Sequence, residues 1–198
     1  MHVVDRIADC GGFDDLMPMS LDALSHIVIH RQSLAQFDEM ENPQPTPDLM
    51  LDAVVLAERF RDRSTQLGRH TGWRRPYHLL ILADRDATVE QLIPLSCRGT
   101  HAKDYNYKSW GVALVGNSDQ RPPSRAQYDR LVDTIALLSQ YKDGLKIAGH
   151  TDLPGASGDP NKRCPGRFLP LGPVIEQADR VDRYANPVQA IMQAGFIF

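Results

Sequence analysis

Cysteine is scarce in this chain. Cys10, Cys97 and Cys164 are the only three in 198 residues. An odd, sparse set builds no disulfide framework, so each is a buried hydrophobe, a reactive thiol or a metal ligand. Long apolar runs are missing too: no window approaches the roughly 18 apolar residues of a membrane span. The stretch from Met1 to Met17 carries Asp5, Arg6, Asp9, Asp14 and Asp15. It has neither the basic start nor the apolar core of a signal peptide, which predicts synthesis in the cytoplasm without an export signal. A basic excess is also absent. Lys and Arg number 22 against 25 Asp and Glu, a net charge of −3. That excludes a dedicated nucleic-acid binder, which needs a basic surface to neutralise phosphates. No repeat or low-complexity tract breaks the chain. What is present is an ordinary globular composition, 42% hydrophobic and 24% charged. At this length it predicts a single domain.

Strands and helices alternate. Ile27-Val28-Ile29 is β-branched and apolar and predicts a buried strand ending at His30. The proline-rich segment from Glu41 to Pro47 reads as a surface loop inside the domain. Asp48 is a candidate N-cap for an amphipathic helix reaching about Gln66. Tyr77 to Leu82 and Gly111 to Gly116 read as further buried strands. Ser124 and Gln127 have capping-box spacing, and Tyr128, Leu131, Val132, Ile135 and Leu138 follow at helical intervals. Asp143-Gly144 stops that helix, and Leu145 to Ala148 reads as a fourth strand. Asn186-Pro187 supplies an N-cap and N1 proline for a short helix through about Ala194. The fold class is α/β, a central mixed sheet flanked by helices.

Three side chains carry metal-ligand chemistry in similar settings. His30 ends one strand, His150 sits just past the end of another, and Cys164 lies in a loop fourteen residues after His150. Strand ends and adjoining loops converge on one rim of a sheet. Two imidazoles and a thiolate suit zinc, and three protein ligands is the catalytic count. Taken singly, each has a plain alternative: an exposed or structural histidine, a small buried thiol. His78 reads either as a partner orienting a ligand or as a satisfied core histidine.

The ordered set of motifs resembles the zinc-dependent N-acetylmuramoyl-L-alanine amidases, a family that includes phage lysozyme-type amidases and peptidoglycan recognition proteins. The matching stretches are Ile27 to His30, Gly72-Trp73 with Tyr77-His78, Arg98 to Lys103 with Asn106, Ser109 to Asn117, the Ser124–Tyr141 helix, Gly149-His150, and Lys162 to Gly166. Together they span about residues 26–168, leaving 1–25 and 169–198 as terminal extensions packed on a single amidase domain. After His30 stands Arg31-Gln32-Ser33, a departure from the small or hydroxylated neighbour common in the family.

The resemblance implies that His30, His150 and Cys164 hold one zinc ion, that Tyr77 and Lys162 are catalytic, and that His101 and Asn106 border the substrate. The implied reaction is hydrolysis of the amide between N-acetylmuramic acid and the L-alanine of peptidoglycan, by a monomeric phage-type endolysin. Such an enzyme reaches the wall by a route other than its own export signal. A muropeptide-recycling amidase and a non-catalytic peptidoglycan-binding module are the alternatives.

Overall fold

The computed structural model describes residues 1–12, 16–32, 52–58, 75–156 and 163–198. Numbered along the chain, the strands are β1 (Val3–Asp5), β2 (His26–Gln32), β3 (Leu79–Ile81), β4 (Val89–Gln91), β5 (Ser109–Val115) and β6 (Lys146–Gly149). Among the described residues they form one six-stranded sheet in the order β1-β4-β3-β5-β2-β6. Every pairing is parallel except β3 with β4, so the sheet is mixed, as the sequence predicts. The long central strands β2 and β5 are buried nearly throughout, which explains their apolar runs.

Alternation along β2 and β5 sends their side chains to two faces. Ile27, Ile29, Trp110, Val112 and Leu114 enter the main core. Helix α1 (Arg125–Ser139) covers it with Leu131, Ile135 and Leu138. Its capping box is made as predicted: Ser124 Oγ accepts from Gln127 N at 3.1 Å, and Gln127 Oε1 accepts from Ser124 N at 3.2 Å. Trp110 is fully buried, and its indole N–H reaches Leu95 O at 2.8 Å. A polar handle satisfied in this way lets the large ring enter a core.

The C-terminal segment closes the same core. Helices α2 (Leu171–Ala178) and α3 (Pro187–Gln193) contribute Val174, Ala178 and Ile191, and Phe196 follows. Asn186 caps α3 through Gln189 N, with Pro187 in its first turn as predicted. Helix α2 is not apparent in the sequence because Gly172 and Pro173 read as breakers; a first turn tolerates them, having no intrahelical partner for its N–H groups.

The opposite face carries two smaller clusters. One joins Tyr77, Leu80, Ala113 and Val115 to Ala53, Leu56 and Ala57 of a helical segment at residues 53–58. The other joins Val28, Ala102, Leu153 and Ala156. The helical segment begins later than the sequence suggests: Asp52 Oδ1 accepts from Val55 N at 2.8 Å, which is the capping contact expected of Asp48. Asp48, the helix beyond residue 58 and the proline-rich loop lie outside the described residues. Strands β1 and β4 escape prediction because each is three residues long. Glu90 and Gln91 also make β4 look polar. Both are buried with partners: Glu90 with Arg6 Nε and Ala53 N, Gln91 with the carbonyls of Ile93 and Ile197.

Candidate metal centre

His30 stands on β2 facing away from α1, on the side shared by Val28 and Gln32. The strand register sets it opposite Ala113, and Val28 opposite Gly111. These small neighbours on β5 leave room for imidazole rings above the sheet. His30 is 1% exposed, although β2 continues two residues beyond the point where the sequence suggests that it ends.

His150 follows the last residue of β6 and opens a 3-10 turn, His150–Asp152. Its Nε2 lies 3.0 Å from Ala156 O. A carbonyl only accepts, so Nε2 carries the proton and Nδ1 is the basic nitrogen. Cys164 is brought to it by the neighbouring threonine. Thr151 N and Oγ1 both donate to Cys164 O, at 3.1 and 2.9 Å, and Thr151 Oγ1 lies 3.3 Å from Cys164 N. The approach is close enough to require glycine at 149: a Cβ there would sit 2.7 Å from Pro165 Cδ and 3.1 Å from Cys164 O.

The ligand atoms of His30, His150 and Cys164 all lie within 4.8 Å of one another. Cys164 Sγ is 3.8 Å from His30 Nδ1, and Arg31 N points at the same sulfur from 3.5 Å. The Arg31 side chain ties this loop down from outside, donating to Arg163 O at 2.9 Å and to Asn117 Oδ1. Residues 120 and more apart in sequence are thus joined in a group that could hold a metal ion.

Tyr77 lies beside it. Its ring centroid is 4.9 Å from that of His30, and its hydroxyl donates to Gln32 Oε1 at 2.9 Å. Burial pushes the phenol well above its ordinary pKa, helped by the nearby Cys164, so Tyr77 stays a neutral donor. Neither Gln32 nor Thr151 is marked as a site residue by the motifs. Period-two alternation from His30 was a signal for Gln32, which must share its face. Nothing local marks Thr151.

His101 is 8% exposed, with Nδ1 3.0 Å from His30 Nε2. Burial, with His78 nearby, holds its pKa well below the usual histidine range. Asn106 Oδ1 accepts from the backbone N–H groups of His101 and Ala102, both at 2.8 Å. His78 resolves as a satisfied core histidine: Nε2 donates to Cys97 O at 2.8 Å and Nδ1 accepts from Gly111 N at 3.0 Å. Cys10 is buried, with its thiol on Ala53 O and its pKa pushed up to about 12 by burial, and is an inert thiol. Lys162 lies outside the described residues.

Fold and site together define an α/β protein with a metal-competent His-His-Cys group on one face of a mixed sheet. The family model described as N-acetylmuramoyl-L-alanine amidase matches residues 21–167, and the chain belongs to that family. It is 34% identical over 99 residues to the endolysin of Escherichia phage T7, a match covering 46% of this chain and 64% of the phage protein. Among solved structures, the Ph2119 endolysin from the Thermus scotoductus MAT2119 bacteriophage superposes with a TM-score of 0.64 at 16% identity, over 89% of this chain and 99% of that one. Peptidoglycan recognition protein-LE, solved with tracheal cytotoxin, gives 0.61 at 14% identity, over 92% and 95%. The structural likenesses establish the fold.

Proposed function

We propose that the chain is a zinc-dependent N-acetylmuramoyl-L-alanine amidase of the phage endolysin type, acting as a monomer on peptidoglycan. The observation that carries this reading is the convergence of His30, His150 and Cys164 in a member of that family. The donor set fits zinc. Tetrahedral zinc with nitrogen at about 2.0 Å and sulfur at about 2.3 Å separates its ligand atoms by about 3.3–3.6 Å. Cys164 Sγ and His30 Nδ1, 3.8 Å apart, are close to that spacing, and the three ligand atoms, all within 4.8 Å of one another, would draw together around the ion. The anchored Nε2 of His150 is the arrangement that orients a ligating imidazole.

Bound there, zinc supplies Lewis-acid activation of water and of the scissile carbonyl. The protein's own groups do the rest. Tyr77 is neutral and holds its one O–H on Gln32 Oε1; turned from Gln32 towards the substrate, that O–H is the donor to negative charge developing on the lactyl carbonyl oxygen. Lys162 is the second donor in this reading. Loss of one such donor costs about 100-fold or more in rate. Arg31 N stabilises the Cys164 thiolate through its contact with Sγ.

The test is product chemistry with metal analysis. Purified protein should carry one zinc per chain and release stem peptides with a free L-alanine amine from peptidoglycan. Tyr77→Phe and Lys162→Ala should keep the zinc and lose rate, whereas Cys164→Ala and His150→Ala should lose the zinc. New reducing sugar ends without free amines would overturn the amidase reading. Full metal content in Cys164→Ala would overturn the ligand set. Comparing intact sacculi with soluble anhydromuropeptides separates wall lysis from recycling.

A further inference from the structure

The hydrogen-bond chain behind His30 has a direction, and its far end sets it. Tyr105 O can only accept, and Ser109 Oγ donates to it at 2.8 Å. With its proton committed there, Ser109 Oγ is an acceptor towards His101 Nε2, 3.4 Å away. His101 Nε2 therefore carries the ring proton, and Nδ1 is left as an acceptor. That nitrogen faces His30 Nε2 at 3.0 Å, so His30 Nε2 is the donor and His30 Nδ1 bears the basic lone pair. Nδ1 is the atom turned towards Cys164 Sγ.

We propose that His101 is a positioning residue of the metal centre: it accepts the Nε2–H of His30 and thereby fixes both the tautomer and the ring orientation in which His30 ligates through Nδ1. This rests on the metal-site reading above and assigns His101 differently from the substrate contact that the family resemblance implies. Its ring is buried and both nitrogens face protein groups. Asn106 serves the same end by pinning the backbone of residues 101 and 102. The floor under the ring is Gly111, where a Cβ would sit 2.8 Å from His101 Cγ. The sheet thus leaves a slot of one ring's thickness for this residue. Partners of this type orient ligands and raise their basicity, and their loss typically weakens metal binding by about 10–100-fold.

The experiment measures zinc affinity by chelator competition on the full chain, for wild type, His101→Leu and His101→Asn. His101→Leu removes the acceptor and should weaken zinc by about 10–100-fold. His101→Asn restores an acceptor close to the position of Nδ1 without restoring the ring's packing, and should recover most of the affinity. Zinc bound equally well by His101→Leu and wild type would overturn the inference while leaving the metal site standing. So would an Asn variant as weak as the Leu variant. A wild-type protein that takes up no zinc would overturn the metal reading itself and this inference with it. Should His101→Leu fail to fold, long-range proton–nitrogen NMR on wild type decides the matter. His101 should be protonated at Nε2 and bare at Nδ1; a proton on Nδ1 would refute the assignment.

Discussion

Replacing Gly111 by alanine adds one methyl group at the most crowded point behind the site. The new Cβ would lie 2.8 Å from His101 Cδ2 and Cγ and 2.9 Å from Nδ1. Carbon atoms pack at about 3.5–4.0 Å, so the ring must retreat by about 0.7 Å or more. The methyl pushes it away from the sheet, and His30 rises from that same sheet, so the 3.0 Å contact between the rings opens. Overpacking costs about 1–3 kcal/mol and a buried N–H without its acceptor about 1–3 kcal/mol more. A net loss of about 2–6 kcal/mol lowers Tm by about 4–24 °C in a domain of this size. Thermal unfolding of the metal-free protein measures this loss. Chelator competition should show zinc weakened in the same variant. The strain part is separable, because His101→Ala makes room for the methyl. In the Gly111→Ala background it should cost much less than in wild type, a coupling expected of groups in contact. A Gly111→Ala protein with wild-type Tm and zinc affinity, or strictly additive effects in the double variant, would refute the reasoning.

Two further outcomes are expected. Burial lowers the pKa of His78 from 6.5 to about 4. Between those values the unfolded chain binds a proton that the folded chain refuses. Stability is therefore intact above about pH 6.5 and falls as the pH drops towards 4, by about 3 kcal/mol in full at about 1.4 kcal/mol per pH unit. Urea unfolding of metal-free wild type and His78→Asn at about pH 7.5 and about pH 5 checks this: the variant should lose less on acidification, and an unchanged pH dependence would count against it. Ser124→Ala removes the cap of α1 and should cost about 1 kcal/mol, or about 2–4 °C in Tm, with zinc affinity unchanged. A Tm equal to wild type would mean that the capping box contributes nothing.

Much of this molecule is legible along the chain. The buried strands containing Ile27 to Ile29 and Val112 to Val115, the capping box at Ser124 and the Asn186-Pro187 helix start are all local. Each is written in side-chain type and spacing over a few residues. His30, His150 and Cys164 were nameable as candidates because their donor chemistry and their places at strand ends are local too. The parts that escape are those whose stability comes from partners far away in sequence. Strand β4 carries Glu90 and Gln91, and is buried only because Arg6, Ala53 and Ile197 satisfy them. Helix α2 survives Gly172 and Pro173 because its apolar side closes the core over α1.

The inventory is written along the chain: which segments alternate, which residues can ligate a soft cation, and which family the ordered motifs resemble. Which of these residues face one another is settled by packing. Parallel pairing of β2 with both β5 and β6 sets His30 opposite Ala113 on one side and near the approach to His150 on the other. Strand pairing and the Thr151 contacts together turn a histidine and a cysteine 134 positions apart into neighbours. The same packing buries His101 against His30, beside the candidate metal centre. No local pattern encodes that placement, because the slot for its ring is made by a side chain that is missing from another strand.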